Sequence, residues 1–305
     1  MGDEALMANQ VPQAISIYQE GTQLIQMETK SDEKTTLTSS SYIATAISIY
    51  TNLGTAYSVM AEQSPKQQIL YQPKTIQTYR DAIMLHQQFS NHPSQKSTTA
   101  ELQKVNKVAA QTSFFLGMEY QDTNDFEQAM TSYGLAYTFD PLHWSALANM
   151  AALISDYPNF RSPDETDGTT DDSSPMMKAY EDPAVRSEEA LMAYNKAYEI
   201  LTSTKEEPTD YPSNPNYMLS ELQYRMGKIL VDAPSDRTCQ IMSDKQEQQS
   251  VDCHQMAIYA FHQAVEYDDT NEQAKHMLAA MTADATVVRA SNPYVTELFE
   301  KYAKK

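Results

Sequence analysis

The stretch Ser113-Phe-Phe-Leu116-Gly117-Met-Glu-Tyr120, then Asp125-Phe-Glu-Gln-Ala129-Met-Thr-Ser-Tyr133-Gly-Leu-Ala136, closing at Asp140-Pro141, decides the fold. It reads as two helices, the first carrying Leu-Gly-x2-Tyr and the second Ala-x3-Tyr-x2-Ala. A glycine in mid-helix costs about 1 kcal/mol relative to alanine. Gly117 therefore predicts a crossing too close for a Cβ. Ala129 and Ala136 keep that approach close, while Tyr120 and Tyr133 fill the space around it. Pro141 stops the second helix.

The pattern recurs along the chain. Tyr50-x2-Leu53-Gly54-x2-Tyr57 repeats the first helix, and Thr75-x3-Tyr79-x2-Ala82 the second. Ala14-x3-Tyr18-x2-Gly21 has second-helix spacing behind a stub of a first helix. Leu147-x3-Ala151 pairs with Ala190-x3-Tyr194-x2-Ala197, and Met226-Gly227-x2-Leu230 with Ala257-x3-Phe261-x2-Ala264. This alternation resembles the tetratricopeptide repeat, whose unit runs to about 34 residues. The resemblance implies an all-α, right-handed superhelix (an α-solenoid) of antiparallel helix pairs. The pairs are expected over about 1–30, 41–88, 98–142, 143–203 and 215–269, with a final helix over 271–284. Extra material between first and second helices predicts disordered insertions at 62–72, 157–181 and 232–250, with a further spacer over 90–99. No segment reads as a convincing strand.

Composition narrows the function. The 305 residues carry a formal net charge of -19, which argues against nucleic acid, whose phosphates are gripped by Lys and Arg. An acidic surface favours basic peptides or simply keeps the protein in solution, and solubility alone is sufficient to explain it. No apolar run approaches the roughly 20 residues that cross a bilayer, and the N-terminus lacks the cationic start of a secretory signal. Two cysteines are too few for a disulfide scaffold. A cytoplasmic location is the expectation, with the nucleus as the alternative reducing compartment.

The chemistry-bearing residues point away from catalysis. Cys239, Cys253, His254 and His262 lack the tight ligand pairs of zinc sites. In Asp164-Glu-Thr-Asp167-Gly168-Thr-Thr-Asp171-Asp172, aligning Gly168 with the loop glycine puts Pro163 and Ser174 where calcium ligands belong. There is no Gly-x-Gly, no Walker loop and no nucleophile in recognisable context. No cofactor, no metal and no catalytic residue is expected.

What remains is a binding face. The resemblance implies that first helices line a concave surface, which nominates Gln111, Phe114, Met118 and Asp122 as peptide-binding positions. Asp156, Tyr224, Lys228 and Asp232 follow from later units, together with Ala148 and His276. In the chaperone-binding members, Lys and Asn of first helices grip a carboxylate; here Thr51 and Thr55 stand at those positions, which argues against that function. The tail adds a second resemblance. Residues Lys275 to Thr282, then Tyr294-Val295-Thr-Glu-Leu298-Phe299-Glu300-Lys-Tyr302-Ala303, are similar to the junction between such repeats and S-adenosylmethionine-dependent methyltransferase domains. Residues 285–305 are expected to form a linker and an amphipathic helix, with Val295, Leu298, Phe299 and Tyr302 on the face that docks a partner. No glycine-rich methyl-donor loop follows, so these residues are not expected to methylate anything. The expected role is a non-catalytic scaffold for protein–protein interaction; the alternative is the substrate-recruiting half of a methyltransferase whose catalytic domain is lost, on another chain, or missing from the sequence.

Overall fold

A computed structural model describes residues 2–30, 39–91, 98–156, 182–203, 212–232, 238–242 and 248–283. The chain divides into two compact units, Met1–Ala146 and Leu147–Lys305, where the sequence predicts one array over 1–284.

The first unit contains α1 (Gly2–Met7), α2 (Val11–Lys30), α3 (Ser40–Ala61), α4 (Pro65–Ser90), α5 (Thr99–Asp122) and α6 (Phe126–Phe139). Each packs on the next, and α3 also packs on α5. Local chemistry sets the ends. Thr98 and Glu101 form a reciprocal capping box at the start of α5, and Asp125 caps α6. The turn between them is tight because Asn124 adopts a left-handed conformation (φ 61°), which asparagine tolerates better than most side chains.

What holds each pair together is an aromatic ring seated on a glycine. A Cβ at Gly117 would lie 2.5 Å from Cε1 of Tyr133, and one at Gly54 would lie 2.4 Å from Cε1 of Tyr79. Carbon atoms attract best at about 3.5–4.0 Å, so no larger residue fits beneath these rings unless they move. The α1–α2 pair repeats the contact with Gly2 under Tyr18, at 2.5 Å. The flanking small residues of the second helices, Ala14, Thr75, Ala82, Ala129 and Ala136, have no exposed surface at all. Each tyrosine hydroxyl finds a partner. Tyr18 donates to Asp3, Tyr79 shares a hydrogen bond of 3.2 Å with Thr55, and Tyr133 donates to Oε1 of Gln121 at 2.8 Å.

One expected insertion is absent. Residues 62–72 form a three-residue turn and the first turns of α4, which begins with Ser64 as N-cap and Pro65 in its first turn. Pro73 lies inside that helix. Because proline interrupts most helices, it moves the apparent start of this helix on to Thr75.

The second unit begins within α7 (Trp144–Asp156) and continues with α8 (Pro183–Thr202), α9 (Pro215–Val231), α10 (Cys253–Tyr267) and α11 (Glu272–Ala283). Gly227 of α9 lies under Phe261 of α10, with 2.7 Å from the built Cβ to Cε1. Ser220 of α9 donates to the Ala264 carbonyl of α10 at 2.7 Å and accepts from Asn271 at 3.0 Å, tying the start of α9 to the end of α10. The region expected as a disordered insertion over 232–250 contains two strands, β1 (Thr238–Met242) and β2 (Gln248–Asp252), paired antiparallel with Cys239 opposite Val251. Among the described residues, the all-α architecture therefore carries one hairpin. Polar residues such as Gln240, Gln248 and Gln249 hide its alternation from hydrophobic patterning. Cys253, the first residue of α10, is disulfide-bonded, and the sequence has one other cysteine, Cys239. Two cysteines are too few for a disulfide scaffold, yet Cys253 is cross-linked. The expected insertion at 157–181 and the expected tail helix, with Val295, Leu298, Phe299 and Tyr302, fall outside the described residues.

Two measurements check this packing. Gly117→Ala should lower stability by ~1–3 kcal/mol through overpacking beneath Tyr133. Gly134→Ala, also mid-helix but with nothing within 4 Å of its built Cβ, should raise stability by ~0.5–1 kcal/mol. Equal effects in thermal melts would contradict the ring-on-glycine contact. Cys253→Ser should destabilise the second unit by about 3 kcal/mol, the usual worth of closing a loop of roughly 15 residues. A denaturation midpoint indifferent to reducing agent would refute the cross-link.

Candidate binding site

The eight nominated positions part company in the structure. In the first unit, Phe114 is half-buried, its ring centroid 5.0 Å from that of His143 and 5.7 Å from that of Tyr133. It packs inside the unit and offers little to a ligand. Gln111 is half-buried, while Met118 and Asp122 are exposed. The two threonines at the carboxylate-gripping positions are occupied as well. Thr51 is buried and shares a 2.6 Å hydrogen bond with Thr112, linking α3 to α5, and Thr55 meets Tyr79.

In the second unit, by contrast, Asp156, Tyr224, Lys228 and Asp232 converge on a cleft of about 420 Å³. Helix α9 supplies one wall. Glu221, Tyr224 with Arg225, Lys228 with Ile229, and Asp232 succeed one another at intervals of three and four residues, which places them on one helical face. The end of α7 contributes Ser155 and Asp156, α8 contributes Tyr194, and α11 contributes Gln273. Of the other two nominated positions, His276 is exposed and Ala148 half-buried, and neither lines the cleft.

The charges within the cleft are unevenly committed. Arg225 Nε donates to Oε1 of Glu221 at 2.6 Å, one turn away on the same helix. Burial works against the guanidinium charge, but Tyr194 and Glu221 outweigh it, so Arg225 holds its proton more tightly than usual. Lys228 reaches back over the Tyr224 ring, its Nζ 6.0 Å from the centroid, close to the limit of a cation–π contact. Among the described residues, the carboxylates of Asp156 and Asp232 make no hydrogen bond and no ion pair.

Tyr194 is the unusual member. It holds the aromatic position of its second helix between Ala190 and Ala197, both fully buried, and is itself 1% exposed. Yet α7 contains no glycine for a ring to sit on. Its hydroxyl lies near the Arg225 guanidinium and the Ser155 hydroxyl, but forms no hydrogen bond of ordinary geometry. Ser155 spends its own proton on the Ala152 carbonyl at 3.0 Å. Burial, opposed by Arg225, raises the Tyr194 pKa above that of a free phenol. At neutral pH the hydroxyl thus keeps a proton to donate. The sequence pattern places Tyr194 at the aromatic position of a second helix and does not single out Glu221, Arg225 or Ser155. The Glu221–Arg225 spacing of four on the face already holding Tyr224 and Lys228 was the available signal.

No family model matches the sequence, and no curated protein matches it. Among solved structures, the chain is similar to the C-terminal part of a tetratricopeptide repeat-containing protein from Cytophaga hutchinsonii. The identity is 14%, the match covers 90% of this chain and 97% of that one, and the TM-score is 0.31. A likeness this loose says nothing about activity or partner.

The solitary hydroxyl makes a prediction. An unsatisfied buried polar group costs about 1–3 kcal/mol, so Tyr194→Phe should stabilise the unliganded protein by ~1 kcal/mol in urea unfolding. A loss of stability would mean that the hydroxyl is already well bonded.

Proposed function

We propose that the chain is a non-catalytic scaffold that binds a peptide segment of a partner protein, with the cleft on α9 as a principal contact. The observation that carries this reading is the uncommitted polar chemistry of the cleft. A buried donor and two carboxylates without a partner among the described residues surround about 420 Å³ of space, within the range of natural ligand pockets. Rigid helices present these groups, and a peptide supplies both carbonyl acceptors and N–H donors along its backbone. The match to helix-pair repeat patterning supports the same reading, because exposed faces of such pairs are long and adaptable. No helix among the described residues is long and apolar enough to cross a membrane. A disulfide-bonded Cys253 favours an oxidising compartment.

A second reading, the substrate-recruiting half of a methyltransferase, rests on the sequence match from Tyr294 to Ala303. Under either reading this chain holds no methyl donor, and titration calorimetry with S-adenosylmethionine should give no binding heat.

Panning a phage-displayed random peptide library against the full chain tests the scaffold reading. Selected peptides should lose about tenfold in affinity or more on Tyr224→Ala or Lys228→Ala, the loss expected at an energetically important contact. Failure to select any peptide, or selection of peptides indifferent to both variants, would overturn it.

A further inference from the structure

We infer that the α9 cleft is a pocket for one basic side chain, arginine or lysine, of an extended peptide, held between Asp156 and Asp232 while the Tyr194 hydroxyl donates to a neighbouring peptide carbonyl. The inference rests on the scaffold reading and names the chemistry of its ligand.

Three observations converge. First, the charges do not balance. Arg225 is committed to Glu221 at 2.6 Å, which leaves Asp156 and Asp232 facing the single ammonium of Lys228. That ammonium leans toward the Tyr224 ring. The remaining negative charge lies on a chain of net charge -19, and such a field concentrates cations at a concave site. Second, Tyr194 is a buried donor without an acceptor. Arg225 and Lys228 can only donate hydrogen bonds, and the backbone carbonyl of a peptide supplies an acceptor oxygen. Third, the size suits a side chain with its flanking backbone. At about 420 Å³ the cleft is near the small end of ligand pockets, too small for a folded surface.

These features together disfavour an isolated anion. A carboxylate or phosphate would use Tyr194 and Lys228 but would also bring its charge near Asp156 and Asp232, and like charges at such range repel. A guanidinium reverses that balance. Its planar fork matches carboxylate geometry, and its aliphatic stem has Tyr224 and Ile229 in the cleft lining.

The test uses the full chain, labelled with 15N, and four N-acetylated, C-amidated pentapeptides, Gly-Gly-X-Gly-Gly, with X as arginine, lysine, citrulline or glutamate. Arginine and lysine peptides should shift the backbone resonances of Tyr194, Arg225 and Lys228. Citrulline, which keeps the shape and loses the charge, should bind at least fivefold more weakly, and the glutamate peptide weakest of all. Asp232→Asn should abolish most of the preference for arginine over citrulline. Tyr194→Phe should weaken all the peptides equally, because it removes the carbonyl donor and leaves the charges in place. Thermal melts would show that both variants remain folded. Equal binding of arginine and citrulline, tighter binding of glutamate, or arginine binding untouched by Asp232→Asn would overturn the inference. The two readings separate cleanly: peptides selected by panning that need the cleft but carry no basic residue would leave the scaffold standing and remove the basic pocket.

Discussion

The contact on which the helix pairs depend is a flat aromatic ring pressed on a backbone that has no side chain. Four times, at Gly2, Gly54, Gly117 and Gly227, a ring from the following helix covers a glycine so closely that a built Cβ would fall within 2.7 Å of a ring carbon. The glycine weakens its own helix by about 1 kcal/mol. Close packing of a large aromatic, with its area removed from water, offsets that loss. Small residues one turn to either side, mostly alanines, keep the helices near enough for the ring to reach. The rest of each unit follows, since pairs fixed this way expose apolar flanks that the next helix covers.

The cleft arises where this arrangement lapses. Tyr194 holds the ring position of its helix, but α7 offers no glycine, and the hydroxyl ends beside Arg225 and Ser155 with no hydrogen bond of ordinary geometry. In the first unit, the equivalent hydroxyls of Tyr18, Tyr79 and Tyr133 are each satisfied by a neighbour. A residue that elsewhere closes a core here borders open space. Binding chemistry at this point is thus obtained by leaving a structural position incompletely paired.

Much of the fold was legible because small residues at fixed helical spacing mean the same thing wherever they occur. Ala129, Tyr133 and Ala136 could be placed before any coordinates, and so could Ala257, Phe261 and Ala264. The start of α4 was hidden by Pro73, whose usual effect on a helix is overridden where the flanking turns are held by their own cap and packing. The hairpin escaped because its glutamines carry no hydrophobic alternation. The cross-link at Cys253 escaped because two cysteines form no framework that sequence alone can recognise. For the site, outward positions on α9 were readable from periodicity alone. What could not be read was the approach of Tyr194 and Asp156 from other helices, or that Phe114 turns inward against His143. Those are facts of tertiary geometry, to which a one-dimensional pattern is blind.

The ring and the glycine beneath it also constrain heredity. Enlarging one partner overfills the gap, and shrinking the other empties it, so each change is harmful alone, while a matched pair of changes need not be. Positions 54 and 79, or 117 and 133, therefore behave as a single inherited character divided between two codons. Divergent copies of this chain would be expected to alter both members or neither.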